Sequence, residues 1–275
     1  MVVFAGQGDA RRSMSLLWRA GPTGQSARRP APGQKPGPKP KLSVDAIVAS
    51  AIALADAEGM AALSMRAVGA RLGRTAMALY TYVPGKSELL DLMYDQVHAE
   101  LPADYPDDGD WRAGLTAWAH DGLEFHLRHP WVLQVSQARP VLGPHEYAGL
   151  DTLVRLLRAT GLDPHVLRRL IGTLSHFVRG CAGTVAEARQ AAAATGEPDE
   201  QWWFARSALL AEVAPDLAER CPHLAALEGA SAPREMTPDE ESVPYLEREA
   251  RATFEAGLGV LLDGIAAAVD RAAKS

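Results

Sequence analysis

Residues 64–90 read SMRAVGARLGRTAMALYTYVPGKSELL, and the order of small, apolar and turn-forming residues in that run decides the fold. Ser64 is a helix N-cap type, followed at helical spacing by Ala67, Val68, Arg71 and Leu72, and Gly73 supplies a tight turn. A second short helix over about residues 75–82 points Leu79 and Val83 inward. Pro84-Gly85 ends it, and a longer helix follows from near Ser87 with the stripe Leu89, Leu90, Met93, Tyr94 and Val97. Upstream, Ser43 caps a helix with Asp45 in its first turn. Val44, Ile47, Val48, Ala51, Leu54 and Ala55 share one face of it, and Gly59 closes it. Two short helices joined by a glycine turn and braced by longer ones make a helix-turn-helix.

The second short helix has the chemistry of groove entry. A recognition helix must be slim to enter a major groove about 12 Å wide, and Thr75, Ala76, Met77 and Ala78 keep it so. Thr75 offers a hydroxyl and a helix N-terminus to a phosphate. Tyr80 and Tyr82 combine an apolar ring with a hydroxyl for a phosphate oxygen, Lys86 reaches the backbone, and Arg66 can fork onto a guanine edge.

Residues 46–93 resemble the N-terminal domain of the TetR (tetracycline-repressor) family of transcriptional regulators, through S-M-R-A-V-x-x-x-L-G, A-L-Y-x-Y-V and K-x-E-L-L. The resemblance implies that Arg66, Thr75, Ala76, Met77, Ala78, Tyr80, Thr81, Tyr82 and Lys86 face DNA. Gly69 stands where the family usually has alanine, and Arg74 where an apolar residue is usual. HPWVLQVSQARPVLGPHEY at 129–147, SHFVRGCAG at 175–183 and FEAGLGVLLDGI at 254–265 resemble the C-terminal domain of the tetracycline-repressor branch itself. That implies a helical second half which binds a small molecule and dimerises. The branch's metal-contacting histidine aligns near Val135 and its acidic partner near Thr184. Neither side chain can hold a cation, so tetracycline–magnesium sensing is not implied.

Charge supports the same division. Residues 1–90 hold 12 Lys and Arg against 5 Asp and Glu, whereas residues 91–275 hold 16 against 29. A polyanion is expected to meet the first third. Residues 21–42, GPTGQSARRPAPGQKPGPKPKL, contain little that could enter a core; together with residues 1–20 they are expected to form a disordered basic arm, 1–42. Cys181 and Cys221 form no C-x-x-C pair, which fits a reducing cytoplasm. No uncharged apolar run approaches the ~18 residues of a membrane span.

In the last helix, Phe254, Leu258, Leu261, Leu262, Ile265 and Val269 form an apolar stripe, flanked by Gly257 and Gly264, which allow close helix approach. A helix this apolar needs a partner, for which the chain's own core or a second copy would serve; the resemblance favours a homodimer through a two-fold four-helix bundle, with residues 165–186 contributing. Trp118, Phe125, Trp131, Phe177, Trp202, Trp203 and Phe204 occur near His126, His129, Gln134 and His176. Trp131, Gln134, His176 and Phe177 are the expected effector contacts. His120, Glu124, His126 and His129 have metal-ligand spacing in pairs only, so no metal or other cofactor is expected. Residues 191–201 and 228–242 are expected to be loosely structured, the first gating the effector site. No nucleotide-binding or nucleophile motif is present, and catalysis is not expected.

The expected protein is therefore all-α and cytoplasmic: a helix-turn-helix over 43–90 and a helical effector-binding and dimerisation domain over 91–275. It would bind a double-stranded palindromic operator and release it on binding a small-molecule effector. The alternative is an all-α ligand-binding protein or enzyme with a vestigial helix-turn-helix.

Overall fold

The first four helices begin in the same way, with a short polar side chain folded back onto an N–H three residues on. Asp9 accepts from Arg12 ahead of α1 (Ala10–Leu17), and Ser43 from Ala46 ahead of α2 (Val44–Glu58). Ser64 accepts from Ala67 ahead of α3 (Met65–Arg71), and Thr75 from Ala78 ahead of α4 (Ala76–Tyr80). Each bond satisfies one of the donors a helix start leaves free. Gly59 (φ 77°) closes α2, and Gly73 (φ 65°) makes the turn between α3 and α4. Helix α5 (Lys86–His98) follows the Pro84-Gly85 break.

The computed structural model describes residues 2–19, 42–105, 110–230 and 243–274. After α5 come α6 (Trp111–Arg128), a 3-10 helix over Pro130–Gln134, α7 (Pro144–Arg158), α8 (Pro164–Thr195), α9 (Asp199–Val213), α10 (Leu217–Arg220), α11 (Pro222–Ala230) and α12 (Tyr245–Ala272). Among the described residues there is no strand, and the fold is all-α. The chain forms two compact units, Met1–Arg179 with Leu262–Ser275, and Gly180–Leu261. The boundary expected at residue 90 falls inside α5, which runs unbroken through it.

In the first unit Ile47, Val48 and Ala51 of α2 share one core with Val68, Leu79, Val83, Leu89 and Met93. Burying each large aliphatic side chain contributes about 1.5–3 kcal/mol, which is what holds two helices of five and seven residues in place. Helix α5 also carries three buried acids, Glu88, Asp91 and Asp95, on one face. Asp95 Oδ1 accepts from the N–H groups of His145 and Glu146 at 2.9 and 3.0 Å, and so caps α7 from another helix.

Residues 2–19 overturn the expectation of disorder for that part of the arm. Val3 pairs with the chain at 134–136: its N–H donates to Gln134 O, and its carbonyl accepts from Ser136 N, both at 2.8 Å. Gly6 N donates to Asp91 Oδ1 (2.8 Å), Ser13 Oγ to Asp91 Oδ2 (3.0 Å) and Asp9 N to Glu88 Oε1 (3.1 Å). Trp18 Nε1 donates to Leu142 O (3.0 Å), and Arg19 pairs with Asp45 of α2. Ala5 and Leu17 enter the core. The segment is ordered because α5 supplies acids for its backbone N–H groups and Ser13, and because its apolar residues enter the core. The rest of the basic arm, residues 20–41, lies outside the described residues, as does most of 228–242.

In the second unit, buried Glu247 accepts from Arg189 (2.9 Å) and Arg251 (3.0 Å). Burial alone would raise its carboxyl, and the two guanidinium bonds reverse that and hold it low. Residues 191–201 are mostly helical: α8 continues to Thr195 and α9 begins at Asp199, leaving little chain for the expected gate. Trp202, Trp203 and Phe204 are exposed on α9.

The expected dimer stripe is redirected as well. Phe254, Leu258, Leu262 and Ile265 are buried in the single chain, at 0–4% exposure. Gly257 and Leu261 are half-buried, and Gly264 is exposed. The stripe is committed to the chain's own core because α12 has to bury one face before it can offer another. Its exposed face carries Ala256, Val260, Gly264 and Ala267. By length and composition α12 is apolar enough to cross a membrane, and 22% of its most apolar stretch is buried within the chain.

Candidate nucleic-acid interface and ligand cavity

Helix α4 is amphipathic on a very small scale. Leu79 is fully buried, while Met77 is 73% and Tyr80 44% exposed. Arg66, Thr75, Thr81, Tyr82 and Lys86 are exposed too, so seven of the nine expected DNA-facing residues stand in solvent. Ala76 and Ala78 are half-buried, and Ala76 packs against the core. They make the helix thin and do not themselves project. The Thr75 oxygen accepts from Ala78 N at 3.3 Å, which leaves its hydroxyl hydrogen free for a phosphate oxygen. Arg74 is exposed beside Thr75.

A Cβ on Gly69 would lie 2.8 Å from the Arg74 carbonyl oxygen and 3.3 Å from Ala76 N. The backbone of α3 therefore touches the turn that launches α4, and the Gly69 carbonyl accepts from Arg74 N at 2.8 Å. This close approach holds the recognition helix in position.

In the same compact unit, the other end of α5 borders a cavity of about 440 Å³, within the size range of small-molecule sites. Its aromatic walls are Tyr94, Trp118, Phe125 and Tyr147, with His98, His126 and His176 among them. Residues 135–142 form one side. There Leu142 adopts φ 63°, which is strained for a branched residue. It is held by Trp18 on its carbonyl and by Glu146 Oε2 on its N–H at 2.7 Å. Arg179 donates to the Val132, Leu133 and Val135 carbonyls at 2.5–3.2 Å and fixes the end of the 3-10 helix.

His98 Nδ1 lies 2.7 Å from the Tyr94 carbonyl oxygen, and His126 Nδ1 2.7 Å from that of Gly122. Burial pushes both imidazoles down to about 4 and keeps them neutral near pH 7. Burial likewise raises the Tyr94 hydroxyl to about 12 and the Glu146 carboxyl above its usual range.

Of the four expected effector contacts, only His176 lines this cavity. Trp131 is buried at 1%, with Nε1 donating to Asp56 Oδ1 of α2 at 2.8 Å, so it is a core bracket. Gln134 is exposed and Phe177 half-buried, and neither is in the lining. Two neighbours of the expected set, Phe125 and His126, do line it. Tyr94 could be seen only as part of the α5 stripe, and His98 carried no sequence signal. Among the described residues, no group of three or more His, Cys, Asp or Glu gathers as a metal site.

Residues 47–93 match the sequence profile described as "Bacterial regulatory proteins, tetR family", and residues 101–269 match that of the "Tetracyclin repressor-like, C-terminal domain". The chain is 44% identical over 212 residues to the HTH-type transcriptional repressor DrrR1 of Streptomyces coeruleorubidus, covering 76% of this chain and 74% of that one. Among solved structures it resembles the Streptomyces coelicolor TetR family protein ActR. In complex with actinorhodin, ActR gives a TM-score of 0.64 at 26% identity, covering 82% of this chain and 96% of that one. In complex with (S)-DNPA it gives 0.61 at 26% identity, covering 84% and 100%.

Proposed function

The chain belongs to the TetR family of bacterial transcriptional regulators, and from that premise we propose that it is a repressor which leaves a palindromic operator when a small molecule fills the cavity beside α5. It is a DNA-binding helix-turn-helix regulator. The relative DrrR1 is named a repressor, and ActR has been crystallised with actinorhodin and with (S)-DNPA; both support repression relieved by a small effector. The relatives' named roles are regulatory.

Helix α5 is continuous between the two sites, and this continuity carries the function. Its first residue, Lys86, follows the recognition helix, and its last turns bring Tyr94 and His98 to the cavity wall. A helix moves as one rod, so a ligand that displaces its last turn displaces its first. Release requires that the ligand bind one state better than the other, with a coupling of about 1–3 kcal/mol typical.

In this proposal Arg66 reads a base edge, and Thr75, Tyr80, Thr81, Tyr82 and Lys86 hold the phosphate backbone while Met77 meets the groove floor. Residues 43–90 form the reading head and 91–275 the effector-binding and dimerising part. Two copies join through the exposed Ala256–Val260–Gly264 face of α12, with α8, and set the half-sites ~34–36 Å apart. The protein works on DNA in the cytoplasm.

The test is fluorescence anisotropy of the purified protein with labelled DNA from upstream of its own gene, against a scrambled duplex at near-physiological salt. Binding the upstream DNA about a thousandfold more tightly supports a specific regulator. Equal, weak and salt-sensitive binding to both duplexes, and to fragments selected from the genome, would refute it.

A further inference from the structure

The cavity's inner wall has a polarity that limits what can occupy it. This inference rests on the cavity being the effector site. A carbonyl oxygen only accepts, so the His98 and His126 Nδ1 atoms facing Tyr94 O and Gly122 O must each carry the hydrogen. In a neutral imidazole the other nitrogen, Nε2, then has a lone pair and no hydrogen. Neither Nε2 has a partner among the described residues. The two rings flank Phe125, at centroid distances of 5.0 and 5.1 Å. The wall is thus aromatic, with His98 tilted and His126 edge-on against Phe125, each bearing a bare acceptor. The backbone bonds fix the tautomer, so neither ring can turn its donor inward without giving up a short bond to its own helix.

The rim has the opposite character. Arg139 lines the cavity, is exposed, and makes no ion pair among the described residues. Gln137 stands beside it, also exposed. The carboxyl of Glu146, by contrast, is occupied by the Leu142 N–H.

We propose that the effector is an aromatic hydroxyl compound, bound with its phenolic O–H groups inward on His98 and His126 and an anionic or carbonyl-bearing end outward at Arg139. The aromatic body stacks within the Trp118–Phe125–Tyr147 walls. The hydroxyls supply the hydrogens the two imidazoles lack, and an ether or a hydrocarbon in their place would leave buried acceptors unpaired. The neutral state of both rings holds through the physiological range because burial opposes their protonation.

The experiment is calorimetric titration of the full-length protein with 4'-hydroxybiphenyl-4-carboxylate, its 4'-methoxy ether and 4-phenylphenol, near neutral pH. The expected result is that the hydroxy acid binds about tenfold or more tightly than the ether. His98→Leu or His126→Leu should shrink that ratio, and Arg139→Ala should weaken the acid but not 4-phenylphenol. Gly149→Trp serves as the control: Gly149 lines the cavity and a Cβ there meets open space, so the indole fills the site. If ether and hydroxy acid bind equally in the wild type, and Gly149→Trp abolishes both, the donor inference is overturned while the effector cavity stands. If neither binds saturably, or Gly149→Trp leaves binding unchanged, both are overturned.

Discussion

Gly69→Ala sets two known effects against each other in one methyl group. Gly69 lies inside α3, where alanine is a better helix former by about 0.5–1 kcal/mol. The new Cβ, however, would sit 2.8 Å from the Arg74 carbonyl oxygen, whereas ordinary contact begins near 3.4 Å. The shortfall is about 0.6 Å, and the atoms in the way, Arg74 O, Thr75 C and Ala76 N, are all backbone. No rotamer can relieve it, so the turn must open. Opening it stretches the 2.8 Å bond from Arg74 N to Gly69 O. Overpacking of this kind costs about 1–3 kcal/mol, so the clash outweighs the propensity gain, and a net loss of roughly 0.5–2 kcal/mol is expected. The opening also moves Thr75, the cap of the recognition helix, so operator affinity should fall by about tenfold. Urea unfolding and operator anisotropy on the same preparation measure both. A protein stabilised by about 0.5–1 kcal/mol, with unchanged operator affinity, would show that α3 and the turn are not in the contact described.

Three further outcomes follow from the packing. Asp91→Ala leaves Gly6 N and Ser13 Oγ without their acceptor and should destabilise the chain by about 1–3 kcal/mol, with faster hydrogen exchange of residues 3–17; protection there equal to wild type would mean that the Asp91 bonds do not hold the segment. His98 and His126 take up protons in the unfolded chain near pH 6.5 but in the folded protein only near 4. Their contribution to stability therefore falls as pH drops through that window, by up to ~1.4 kcal/mol per pH unit for each ring. Replacing both with glutamine should flatten the acid limb of stability against pH, and an unchanged slope would contradict their burial. Finally, Val260→Glu should dissociate the dimer in light scattering while leaving the melting temperature of the chain nearly unchanged, whereas Phe254→Ala should cost about 3–5 kcal/mol of stability through an internal cavity. The reverse pattern would place the dimer contact on the buried stripe.

Across residues 43–98 the sequence was sufficient for the architecture because the signals there are local. A serine or threonine accepts from an N–H three residues on, glycine takes positive φ, and apolar residues recur at helical spacing, whatever the rest of the chain does. The solvent-exposed face around α4 followed from the same pattern, because Leu79 and Val83 facing inward leave Thr75, Met77, Tyr80 and Tyr82 no other side.

Long-range pairing decided the rest. Residues 2–19 show no strong helical or strand pattern of their own, and partners far along the chain, the acids of α5 some 80 residues away and the backbone at 134–142, make them part of the fold. Trp131 was an expected cavity residue, and His98 carried no sequence signal. Asp56 takes the first into the core, and the last turn of α5 brings the second to the cavity. The α12 stripe is apolar enough for either a core or a dimer, and periodicity cannot say which of two apolar surfaces it meets. By itself the sequence determined an all-α helix-turn-helix regulator and the exposed face of its second short helix. Where the N-terminal segment docks, which aromatics and imidazoles enclose the cavity, and which side of α12 stays exposed in the chain were decided only in the tertiary structure, since each depends on a partner distant in the chain.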